Sequence, residues 1–107
     1  MTGPTDEELV AAIRRLASQK GAIRVAPRCQ GTMVDEGFDI ESALELLQQC
    51  TVRELKKNEP DRDTTRNKQV GVFEIVLEDE NALYVKVTVS LPSMNAGVLL
   101  SFKRWVY

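Results

Sequence analysis

Leu83-Tyr84-Val85-Lys86-Val87-Thr88-Val89 alternates without a break, apolar at every odd position and polar at every even one. A period of two marks a strand with one buried face and one open face. Val85, Val87 and Val89 therefore point to a core, and Tyr84, Lys86 and Thr88 point outward. The stretch Leu99-Leu100-Ser101-Phe102-Lys103-Arg104-Trp105 alternates in the same way. Its pattern places Leu100 and Phe102 in the core and Ser101, Lys103 and Trp105 on the open face.

Working outward, strands are expected over 51–58 (weakly), 69–78, 82–91 and 97–106, separated by polar turns. Residues 59–68, Glu-Pro-Asp-Arg-Asp-Thr-Thr-Arg-Asn-Lys, contain no hydrophobic side chain and read as a charged loop. Before residue 50 the period is helical. Thr5 followed by Glu8 is a capping box, and Leu9, Val10, Ile13, Leu16 and Ala17 then recur at helical spacing, which predicts a helix over 5–20. Asp39 precedes Ile40, Ala43, Leu44, Leu46 and Leu47, which predicts another over 39–50. Between them, Ile23-Arg24-Val25 reads as a short strand or extended segment, followed by a broken helix over 28–36. The expected fold class is α+β, with two or three helices packed on one face of a largely antiparallel sheet of about four strands. A chain of 107 residues supports one core, so residues 1–107 are read as a single domain.

Composition narrows the chemistry. The chain has no histidine, which removes Ser-His and Cys-His catalysis and the His-containing zinc patterns. Cys29 and Cys50 are too few for a Cys-only metal site and are expected to be reduced, part-buried thiols. No metal and no cofactor are expected. The first residues, MTGPTDEE, lack a basic and apolar leader pattern, and no apolar run approaches a spanning helix, so no membrane role and a cytoplasmic location are expected. The net charge of -2 argues against coating nucleic acid non-specifically. Residues 1–50 hold five Lys/Arg against eight Asp/Glu, and residues 51–107 hold nine against eight, so the second half is searched first.

Facing side chains on adjacent antiparallel strands lie about 5 Å apart, so the Tyr84 phenol and one or two of the Lys86 and Lys103 ammonium groups are expected to converge within one nucleotide's width. Aromatic rings stack bases while Lys and Arg hold phosphates, the combination suited to single-stranded RNA. Since the ribose 2'-hydroxyl is the nucleophile in RNA cleavage, the protein needs only a proton acceptor, a proton donor and cations. Plain surface chemistry accounts for Lys and Thr on an open sheet face equally well. Lys56-Lys57 also fits an edge strand protected from aggregation. Gln69, Glu74 and Ser101 fit surface or turn positions, Trp105 and Tyr107 fit packing or an interface, and Arg62, Arg66 and Lys68 fit a solvated loop.

The helix, then Gly21-Ala22-Ile23-Arg24-Val25, Gly37-Phe38-Asp39-Ile40, Leu83 to Val89 and Leu99-Leu100-Ser101-Phe102-Lys103 together resemble the MqsR (motility quorum-sensing regulator) family. These are messenger-RNA interferase toxins of RelE-like fold. The resemblance spans roughly residues 8–104 and is most specific in Tyr-x-Lys-x-Thr-Val and the terminal Ser-Phe-Lys; DUF4258-type domains are a looser likeness. It implies metal-independent cleavage of single-stranded mRNA and neutralisation by a cognate antitoxin protein of a type II toxin–antitoxin system. By position, Tyr84 and Lys103 match the family's functional tyrosine and last-strand lysine. Lys56 falls where the family has a lysine after its second main helix, with Lys57 one residue of slippage away, and Gln69 is a loose match to a functional glutamine. Tyr84, Lys103 and Lys56 are thus the expected catalytic residues, with Lys86, Gln69, Lys57, Arg104 and Trp105 contacting RNA. The acidic composition and the charged 59–68 loop depart from the family pattern. A non-catalytic binding module of the same fold, immunity- or antitoxin-like, is the other reading: an acidic surface with Trp105 and Tyr107 near the chain end suits a protein contact.

Overall fold

The computed structural model describes residues 3–62, 67–78 and 80–104. In chain order the elements are α1 (Asp6–Ala17), β1 (Ile23–Val25), α2 (Pro27–Asp35), α3 (Ile40–Gln49), β2 (Leu55–Pro60), β3 (Lys68–Val76), β4 (Ala82–Ser90) and β5 (Gly97–Arg104). The α+β class is as expected. The sheet, however, has five strands in the order β1-β5-β4-β3-β2, and β1 runs parallel to β5 while every other pair is antiparallel. Ile23-Arg24-Val25 is too short to be distinguished by periodicity from an extended linker. Its backbone completes the edge through Gly97 N–H to Ala22 O and Ala26 N–H to Leu99 O, both 3.0 Å.

Local signals set the helix ends. The Thr5 hydroxyl accepts from Glu8 N–H at 3.1 Å, and the Glu8 carboxylate accepts from Thr5 N–H at 2.9 Å. Donation to the carboxylate by the Thr5 backbone, and then by its hydroxyl, favours the ionised form and holds the Glu8 pKa below its ordinary value. Asp39 and Ser42 cap α3 in the same reciprocal way. Pro27 opens α2, where its missing N–H costs nothing. Gly37, at φ 82°, closes that helix: Gly37 N–H reaches Val34 O and Phe38 N–H reaches Met33 O, the paired bonds of a left-handed helix stop. Phe38 is thereby turned back toward Phe102, with ring centroids 4.9 Å apart in an edge-to-face contact.

All three helices contribute to one core against the odd-numbered face of β4. Leu9, Ile13, Leu16, Ala43 and Leu47 meet Phe73, Leu83, Val85, Val87, Val89, Leu99 and Phe102 there. Leu83, Val85, Val87 and Val89 are fully buried, each worth about 1.5–3 kcal/mol relative to exposure. The phase of β5 differs from the expected one. Ser101 pairs with Lys86 and Leu99 with Val87, so Leu100 is an extra residue at a bulge. Leu99 and Phe102 are buried completely, while Leu100 is half-buried.

Gly97 lies in the ladder between Val89 and Ile23. A Cβ there would stand 3.2 Å from the Thr88 carbonyl oxygen and 3.4 Å from Ile23 Cγ1. The carbonyl belongs to the sheet and cannot retreat, so Gly97→Ala is expected to lower the unfolding free energy in urea by about 1–2 kcal/mol, with Gly97→Val lower still. Cys29 and Cys50 are both free and buried. Burial, then the nearby Glu54 carboxylate, push the Cys50 thiol from 9.0 up to about 12. Its protonated form is favoured by folding, so the associated stability is complete below pH 9.0 and is lost as pH rises toward about 12. Alkaline urea titrations are expected to show a steeper stability loss in the wild type than in Cys50→Ala, by at most about 1.4 kcal/mol per pH unit.

Candidate nucleic-acid interface

The helix-free face of the sheet carries the even-numbered residues of β3 and β4, and strand register arranges them in rows. Tyr84 pairs with Lys103 on β5 and with Glu74 on β3. Lys86 pairs with Ser101 and Val72, and Val72 pairs with Lys57 on β2. Thr88 pairs with Val98 and Val70, extending the row to Arg24 on β1 and Glu59 on β2. Ser90 pairs with Lys68. Among the described, paired strand residues, five Lys/Arg thus share a face with two Asp/Glu. Clustering of this sort gives an acidic chain a locally positive surface.

Within the first row, Lys103 Nζ lies 5.4 Å from the centroid of the Tyr84 ring. That is a cation–π contact of about 0.5–1 kcal/mol at an exposed position, and it holds the ammonium beside the phenol. The second row frames a hollow of about 310 Å³ lined by Lys57, Lys86, Arg62 and Tyr84, with Glu59 and Asp61 at its side, over Val70 and Val72. Both valines are only 5% exposed although no helix covers them, so the long side chains around them shield the floor. Among the described residues, Arg24, Lys57, Lys68 and Lys86 form no ion pair. Phosphate is a natural counter-charge for such cations.

Tyr84, Lys103, Lys86 and Lys57 are therefore brought together. Lys56 is not with them, because β2 shifts register between Leu55 and Lys57 and leaves Lys56 as the extra residue of a bulge. Its Nζ donates to Arg53 O at 3.4 Å, and its side chain lines the cleft at the β3 edge with Phe38, Leu46, Glu54 and Glu74. Gln69 is also elsewhere. It is 3% exposed on the helix side, where its Nε2 donates to Asn58 Oδ1 at 2.6 Å and Asn58 Nδ2 donates to Pro4 O and Asp6 Oδ1. This chain of bonds ties β3 and β2 to the start of α1. Arg104 turns to the helix side as well and donates to Glu36 Oε2 at 2.8 Å, docking β5 on the end of α2. Trp105, Tyr107 and Arg66 lie outside the described residues.

Two residues gain weight from the structure. Glu74, which alternation alone leaves as an ordinary outward side chain, stands directly opposite Tyr84. Arg24 joins the face only because β1 is part of the sheet. Neither carries a local sequence signal, since both depend on strand pairing.

The bulge at Lys56 predicts a contrast between neighbouring lysines. On a heparin column, Lys57→Ala is expected to elute at lower salt than the wild type, whereas Lys56→Ala elutes with it. Equal shifts for both would show that total charge, rather than this face, governs polyanion binding. Compared with known proteins, the sequence matches no family model and no curated protein.

Proposed function

We propose that the open sheet face binds single-stranded RNA and that the Tyr84–Lys103 row cleaves it, without a metal, as an endoribonuclease toxin of MqsR-like type. The observation that carries this reading is the register pairing of Tyr84 with Lys103, with the ammonium held over the phenol ring. In the proposed step the 2'-oxygen attacks the adjacent phosphorus and the P–O5' bond breaks, leaving a 2',3'-cyclic phosphate and a 5'-hydroxyl. The 2'-hydroxyl proton passes to a base, for which Glu74 supplies a carboxylate in the same row. Lys103 and Lys86 stabilise the charge that develops on the phosphorane. The Tyr84 hydroxyl orients the phosphate and donates toward the leaving oxygen. In this proposal Lys57 takes the part expected of Lys56, and the protein acts on mRNA in the cytoplasm under the control of a cognate antitoxin.

A second reading, a non-catalytic protein-binding module, is favoured by one feature. β2 pairs with β3 only as far as Phe73, and among the described residues no strand covers Ile75 and Val76 on that side. An open cleft of about 890 Å³ lies beside this edge, with Phe38, Leu46, Cys50 and Ile75 in its lining, and Val76 is 68% exposed. An uncovered strand edge beside an apolar cleft suits an added strand from a partner.

Incubation of a mixed-sequence RNA with purified protein in EDTA tests the first reading. The wild type is expected to give discrete fragments with 2',3'-cyclic phosphate ends, and folded Lys103→Ala to be slower by about 100-fold or more. Tyr84→Phe keeps the ring and the cation contact, so its loss of rate reports the hydroxyl alone. Intact RNA with the wild type would refute the nuclease and favour the binding module.

A further inference from the structure

At the opposite end of the open face from Tyr84 and Lys103 is a hollow of about 350 Å³ between β1, β5, β4 and the start of β3. Arg24 and Lys68 are its only charged lining residues among those described. The hollow beside Lys57 and Lys86 contains Glu59 and Asp61, and the cleft at the β3 edge contains Glu54, Glu74 and Glu78. The Arg24–Lys68 hollow is thus the one of the three with cations and no carboxylate. Thr88, 2% exposed, lies in its floor as a hydroxyl-bearing side chain. The Ser90 hydroxyl is already engaged, donating to Asn95 Oδ1 and accepting from Ala96 N–H. Donors for a ligand therefore come from the Arg24 guanidinium, the Lys68 ammonium and the Thr88 hydroxyl.

We infer that Arg24, Lys68 and Thr88 form a second phosphate-binding subsite, which holds the RNA strand away from the scissile bond and sets its course along β4. This rests on the RNA reading above and extends it from a cleavage point to a track. Rows two residues apart on a strand are spaced by about 7 Å, so the Thr88 row stands about 14 Å from the Tyr84 row. Lys86 and Lys57 occupy the row between. Cations at three successive stations match the repeat of phosphates along an extended strand. Arginine offers a planar fork to a phosphate and lysine a mobile point charge, so the pair holds an anion without reading a base. The subsite sets a minimum length for tight binding and leaves sequence selection to the rows near Tyr84.

Binding of 2'-O-methyl oligonucleotides, which lack the attacking hydroxyl, tests the inference in the full-length protein. The wild type is expected to bind a strand of about eight nucleotides at least tenfold more tightly than one of about three. Arg24→Ala/Lys68→Ala is expected to lose that advantage while holding the short strand as before. It should also lower the slope of log affinity against log salt by about 0.7, the contribution of one phosphate contact to a single strand. Arg24→Lys/Lys68→Arg, which keeps both charges, is expected to restore long-strand binding and guards against loss of fold. Unchanged long-strand affinity in the alanine variant, with a wild type that binds and cleaves RNA, overturns the subsite and leaves the nuclease standing. A wild type that binds neither strand overturns both.

Discussion

Burial of one face of β4 is the constraint from which the rest of the structure follows. Leu83, Val85, Val87 and Val89 are fully buried beneath the helices. With a side-chain period of two, a slip of one residue would bring Tyr84, Lys86 and Thr88 into the core in their place. Exposing four large apolar groups and burying a lysine would together cost far more than the few kcal/mol by which a domain of this size is stable. Register is therefore fixed by the core, and the same fixation places a phenol, an ammonium and a hydroxyl on the helix-free face in a set order. The candidate chemistry is the far side of a packing solution.

Two bulges then adjust what the neighbouring strands add to that face. Leu100 is the extra residue on β5 and Lys56 the extra residue on β2. Without the first, Lys103 and Phe102 could not hold their present faces while Leu99 also packs into the core. The second has the same effect at the other edge, letting Leu55 face the helices and Lys57 face Tyr84's side of the sheet. Each bulge reconciles an apolar anchor with an outward cation along one strand. Residues facing the helix side serve assembly instead: Gln69 and Asn58 fasten the strands to α1, and Arg104 fastens β5 to Glu36.

Charge follows the same division of faces. The chain as a whole is acidic, yet Arg24, Lys57, Lys68, Lys86 and Lys103 gather on the helix-free side of one sheet. A net charge near neutrality thus says little about any one surface, because the carboxylates are concentrated elsewhere. Field strength at a surface depends on the charges gathered there, so a small net charge is compatible with a locally positive face.

By itself the sequence determined the α+β class, the bounds of the main helices to within a few residues, and the outward placement of Tyr84, Lys86 and Lys103. Those features follow from capping residues and local periodicity, which are properties of neighbouring positions. Only the tertiary structure decided that β1 is a fifth strand, that Lys57 rather than Lys56 joins Tyr84, that Gln69 and Arg104 turn to the helix side, and that Glu74 and Arg24 belong to the candidate face. Each of these depends on a pairing between segments distant in sequence, or on a single extra residue that shifts the pairing. Alternation within one strand carries no record of what lies across the ladder from it.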